Sequence, residues 1–145
     1  MVAVGEPVPA PLQQLLVSRS LQNVVLLVVV KEGCGACEDT LPLLDAAGPL
    51  VGPLLVLAQE DAATVPALRE ALAPQLTWLA DPEPHPLSRS LHVEFTPTLV
   101  LARAGRVEDV TSGFDPDALH RMLGALTPGF ALFAPGEARP PFRPG

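Results

Sequence analysis

The stretch "KEGCGACEDTLP", residues 31–42, holds both cysteines of the chain, separated by two residues, with a proline five positions beyond the second. Such a pair can exchange disulfides, supply half of a metal site, or sit in a core as two inert thiols. The run before it, "VVLLVVV" (24–30), is uninterrupted, rich in β-branched residues and bounded by polar ones. That pattern predicts a central strand covered on both faces. A helix is expected over 35–47, so Cys34 falls where the strand gives way to the helix. Three-residue spacing within one turn then sets Cys34 and Cys37 on one face, with Cα atoms ~5–6 Å apart, as a disulfide requires. Gly33 and Gly35 bracket the first thiol, leaving its sulfur reachable and the backbone free to turn. Unpaired N–H groups at the helix start favour a thiolate. Cys34 is therefore the expected attacking sulfur, and Cys37, a turn deeper, the one that resolves a mixed disulfide.

The competing chemistries fit less well. Structural zinc takes four ligands, and the histidines on offer, His85, His92 and His120, have no short spacing among them. Covalent haem attachment needs a histidine directly after the second cysteine, where Glu38 stands. Two inert core thiols remain open, although Gly-Cys-Gly is poor core packing. Glu32, Glu38 and Asp39 crowd the motif, and Lys31 is the one cation nearby in sequence. Their negative charge opposes the helix terminus, so the Cys34 pKa is expected to be lowered only modestly.

At 145 residues with 48% apolar composition, the chain is long and apolar enough to build a real core. Nine basic against sixteen acidic residues give a net charge of −7, which argues against nucleic acid or anionic lipid as the main partner. No segment approaches the roughly 20 apolar residues of a membrane span. The first twenty residues lack the basic start and apolar centre of a signal peptide. The cytoplasm is thus the expected compartment, with the periplasm or extracellular space as the alternative if a leader has been removed.

Along the chain, "APLQQLLVSR" (10–19) has leucines at helical spacing, and "PLLVLA" (53–58) reads as a second buried strand. "ATVPALREALAP" predicts a helix from Thr64 closed by Pro74, "LTWLAD" (76–81) a third strand, and "HPLSRSLHV" (85–93) a short helix. Trp78 is expected in the core, and the three histidines at the surface or satisfied. "TPTLVLARAGRVEDVTSGF" predicts a hairpin with strands 98–103 and 106–111, turned at Ala104-Gly105. Asp115 as N-cap and Pro116 at the first helical position open a last helix to about 126. The domain is expected to span 1–126, with 1–22 as an N-terminal extension within it. Residues 127–145, rich in proline and glycine, are expected to form a tail along the surface or without order.

With "CGAC" placed after a buried strand, the chain resembles the thioredoxin superfamily. Pro42 stands where that family carries the proline within the active-site helix, and "FTPT" (95–98) looks like its Thr-Pro step, whose cis proline faces the cysteines. The inserted "LTWLADPEPHPLSRSLHV" and the opening "VGEPVPAPLQQLL" are similar to the TlpA-like and peroxiredoxin-like branch. Asp81, Val93 and Pro97-Thr98 match a recurrent segment there, while Leu91 replaces a common aromatic. The resemblance covers about residues 4–126. It implies a three-layer α/β fold, a central mixed sheet with helices on both faces, and a cis Thr96-Pro97 bond. It also implies that Thr96, Pro97 and Gly33 meet the substrate beside Cys34 and Cys37.

Three departures stand out. Glu32 precedes Gly33 where many relatives carry a tryptophan, and the buried proton-transfer acid of thioredoxin falls near Val28. The peroxidase pattern Pro-x-x-x-Thr-x-x-Cys meets Leu27 and Lys31 instead of its proline and threonine. The expected function is thiol-disulfide exchange with protein thiols or disulfides, served by an electron-donor protein and needing no cofactor. A binding module or redox sensor of the same fold is the alternative.

Overall fold

The computed structural model describes residues 1–145. Strand β1 (Val24–Val30) is the centre of a five-stranded sheet. On one side it pairs in parallel with β2 (Leu54–Ala58), which pairs in parallel with β3 (Thr77–Ala80). On the other it pairs antiparallel with β4 (Thr98–Arg103), which turns into β5 (Arg106–Ser112). The order is β3-β2-β1-β4-β5, a mixed sheet. Helices α1 (Ala10–Ser18), α2 (Gly35–Ala47), α3 (Val65–Leu72), α4 (Pro86–Ser90) and α5 (Pro116–Leu126) complete it.

The apolar run of β1 has its reason in the two cores. Successive side chains point to opposite faces of a strand, so Leu26, Val28 and Val30 enter one cluster while Val25, Leu27 and Val29 enter the other. The first cluster is closed by Leu41 and Leu44 of α2 and by Leu119, Met122 and Leu123 of α5. The second is closed by Leu12 and Leu16 of α1 and by Leu91 after α4. A polar residue anywhere between 25 and 30 would meet one core or the other.

The hairpin turns at Ala104 and Gly105, both with positive φ (51° and 77°), as a two-residue turn of the primed type requires. Asp115 caps α5, its Oδ1 accepting from the Ala118 N–H at 3.1 Å, with Pro116 in the first turn. Trp78 is half-buried rather than enclosed, and its indole N–H donates to the Ala73 carbonyl at 3.0 Å. Two X-Pro bonds are cis, Thr96-Pro97 and Glu83-Pro84; the second was not among the expectations from sequence. No helix is long and apolar enough to cross a membrane.

Residues 127–145 form no helix or strand, yet they are pinned at several points. Phe133 is buried, its ring stacked on His120 of α5 at 5.9 Å between centroids. The guanidinium of Arg139 lies over that ring and pairs with Asp117 at 2.6 Å. Further on, Arg143 and Phe114 exchange both backbone hydrogen bonds, at 2.7 and 2.8 Å. The segment thus runs along α5 and crosses to the end of the sheet where β1 delivers the cysteines.

Candidate functional site

Strand β1 ends at Val30, and Lys31 to Gly33 turn the chain into α2. Gly33 has φ +75°, a conformation that a side chain resists. Its glycine therefore serves the turn, since a Cβ there meets nothing within 4 Å. Cys34 is the N-cap of α2 in extended conformation, and its sulfur accepts from the Cys37 N–H at 3.1 Å. The first cysteine thus takes the role that Ser or Asp plays in an ordinary cap. Cys34 and Cys37 are joined as a disulfide, with Cα atoms 5.2 Å apart. Thr40 satisfies its buried hydroxyl on the Ala36 carbonyl at 2.8 Å, and Pro42 stands inside the helix.

The segment before β4 closes the other side. The Thr96 carbonyl oxygen lies 3.3 Å from the Cys34 sulfur, a distance at which a Cys34 thiol can donate to it once the pair is reduced. Thr96 and Pro97 are buried and Thr98 donates its hydroxyl to the Phe95 carbonyl at 2.6 Å. Phe95 projects outward, 57% exposed. The five residues singled out from sequence, Gly33, Cys34, Cys37, Thr96 and Pro97, thus converge on one end of the sheet. Gly33, Cys34 and Thr96 line a common cavity of about 330 Å³.

One expectation fails. The flanking glycines predict an open Cys34 sulfur, but the residue is 8% exposed and Cys37 only 1%. Residues 143–145 line the same cavity as Cys34. A Cβ on Gly145 would collide with the Thr96 carbonyl, so the two backbones touch there. Lys31 is also not the only cation close by, because Arg143 arrives from the far end of the chain and donates to Asp39 at 2.9 Å. Sequence carried no sign of this: the two residues are 104 positions apart. At the helix start, the Glu32 N–H donates to the Glu60 carboxylate at 2.7 Å. Val28 is fully buried, leaving no acid beneath the pair.

Asp81 is buried for a structural reason. Its carboxylate accepts from the N–H groups of Leu87 (3.1 Å) and Ser88 (2.8 Å) and from the Ser88 hydroxyl, holding the first turn of α4. The His85 ring meets the Asp81 carbonyl through Nδ1 at 2.6 Å, His120 accepts from the Phe133 N–H at 3.2 Å, and His92 is exposed. None of the three histidines lines the cavity at Cys34.

No protein-family model matches the chain, and no curated protein matches it in sequence. Solved structures do. A DsbF from Mycobacterium tuberculosis, in mixed oxidised and reduced forms, shares 26% identity over 73% of this chain and 82% of that one, with a TM-score of 0.59. A secreted M. tuberculosis disulfide oxidoreductase homologous to E. coli DsbE shares 21% over 72% and 83%, with a TM-score of 0.59. The exposed lipoprotein thioredoxin Etrx1 of Streptococcus pneumoniae shares 22% over 75% and 89%, with a TM-score of 0.63. The chain has the thioredoxin-like α/β fold, with its CxxC pair at the amino end of α2.

Proposed function

We propose that this protein is a thiol-disulfide oxidoreductase working through Cys34 and Cys37. The observation that carries the reading is the disulfide at the amino end of α2 with the Thr96 carbonyl 3.3 Å from its first sulfur. In the reducing direction, the Cys34 thiolate attacks one sulfur of a substrate disulfide. That S–S bond breaks, one substrate sulfur leaves as a thiolate, and Cys34 is joined to the other. The Cys37 thiolate then attacks the Cys34 sulfur, and the second substrate thiolate departs. Two electrons have passed to the substrate, its two sulfurs take up two protons, and the Cys34–Cys37 disulfide remains. An electron-donor dithiol returns the pair to its starting state by the same steps in reverse.

Thr96 and Pro97 form the wall against which an incoming polypeptide lies, in the place that Gly145 takes beside the Thr96 carbonyl in this structure, with Gly33 opposite and exposed Phe95 offering an apolar rim. A protein thiol or disulfide is the substrate class. The neighbours described as secreted and as an exposed lipoprotein favour work outside the cytoplasm, the alternative of the two compartments considered. The test of exchange is a trap. Cys37→Ser should accumulate covalent protein adducts through Cys34 under oxidising conditions, and Cys34→Ser should gather none. Equal adduct levels in the two variants would refute the assignment of Cys34 as attacking sulfur.

A second reading is favoured by the burial of Cys34 and by the apolar, buried Val28 where an acid would assist proton transfer. In it the fold serves protein interaction, and the pair senses redox state without efficient turnover. The two readings part on catalytic rate.

A further inference from the structure

The geometry points to Arg143 as a positioning residue of the redox centre: its guanidinium, held across Gly35 at the start of α2, stabilises the Cys34 thiolate and makes the pair more oxidising. This deepens the oxidoreductase reading and rests on it. Three contacts fix the residue, one through its backbone and two through its side chain. The Arg143 backbone is clamped in a two-bond bridge with Phe114. Its Nη1 donates to the Asp39 carboxylate at 2.9 Å. Its guanidinium fills the space above Gly35, where a Cβ would stand 2.8 Å from Cζ and closer still to Nη2. The chain makes room for it twice. Gly35 leaves that space open between the cysteines, and Gly113, at φ +80°, admits the Arg143 carbonyl, which lies 2.8 Å from where its Cβ would be.

The charges around Cys34 make this cation matter. Lys31 and Glu32 come from the loop before α2, Glu38 and Asp39 from α2 itself, Glu60 from the segment after β2, where it holds the Glu32 N–H, and Glu94 from the segment before β4. Acids outnumber Lys31 five to one in that set, and like charge disfavours a thiolate. Arg143 adds a permanent positive charge, and its pairing with Asp39 offsets that acid's share of the opposing field. A stabilised thiolate stabilises the reduced form, which raises the potential of the couple. The Gly35 of the "CGAC" motif thereby acquires a reason that turn geometry does not supply, since its φ is not positive.

The experiment is the thiolate absorbance of the reduced full chain against pH, with the dithiol–disulfide constant measured in a glutathione buffer. Arg143→Gln should lower the acid dissociation constant of Cys34 about threefold, as a half-exposed charge pair allows. The redox constant should move toward the more reducing side by up to the same factor, about 14 mV for a two-electron couple. Arg143→Lys should keep most of the original value. Gly35→Ala, which pushes the guanidinium aside, should act in the same direction as Arg143→Gln and add little in the double variant.

The sign discriminates. If the segment merely covers Cys34, loosening it rehydrates the sulfur and eases ionisation, so Arg143→Gln would raise the dissociation constant or leave it alone. Either result overturns the proposal, as does a Gly35→Ala effect that persists in full without Arg143. No protein substrate is present in these measurements. Failure here leaves substrate turnover standing, and failure of turnover leaves the pKa difference standing.

Discussion

Asp81 is 1% exposed, and a carboxylate tolerates such burial only when donors surround it. Ser88 supplies two of them, through its N–H and its hydroxyl. Ser88→Ala should cost about 1–3 kcal/mol, the penalty of leaving a buried acceptor short of a partner. Urea denaturation measures it, and an unchanged midpoint with an unchanged slope would contradict the account. At this scale sequence carried the cysteines clearly, because their spacing, the glycines beside them and the strand before them are all local signals. Asp81 was visible only as part of a resemblance, and its capping of α4 was not. A carboxylate that reaches forward six and seven residues into a short helix has no periodic signature.

Among the elements, α5 shows how directly a local pattern becomes structure. Asp115 and Pro116 stand at the cap and first turn as expected, and Asp115→Ala should destabilise the fold by about 1 kcal/mol. Thermal unfolding tests that, and a loss of no more than a typical surface substitution would argue against the cap. Asp61, before α3, accepts from the Thr64 hydroxyl and N–H, and these bonds hold its carboxyl below the ordinary range. Its contribution is therefore present above the unfolded pKa and lost as pH falls through the lower folded value. Protection of the Thr64 amide, its exchange rate compared with the intrinsic rate at the same pH, should fall on acidification through that interval; a protection that stays constant would speak against it. Strand β1 was legible because a strand buried on both faces permits no polar alternation. Trp78 packs against the core less completely than its strand pattern predicts, since β3 lies at the edge of the sheet and leaves the indole half-covered.

For the whole molecule, the segment 127–145 is where sequence said least. Its prolines and glycines predict a path along the surface or no order at all, and nothing in them predicts a destination. That destination depends on single side chains, Phe133 on His120, Arg139 on Asp117 and Arg143 on Asp39, with no spacing rule to connect them. Gly113→Ala would place a methyl group against the Arg143 carbonyl and the Phe142 ring while straining a positive φ. It should undock this end of the segment, and the Arg143 amide, which donates to Phe114 at 2.8 Å, should exchange faster by native-state hydrogen exchange. Retained protection would mean that the segment is held elsewhere. The proposed function depends on the pair at Cys34 transferring electrons to proteins. Reduction of insulin disulfides by dithiothreitol, with and without catalytic amounts of the protein, measures this most directly. Acceleration that disappears in Cys34→Ser is the expected result; a rate equal to dithiothreitol alone would contradict the proposed function and leave the fold as an interaction module.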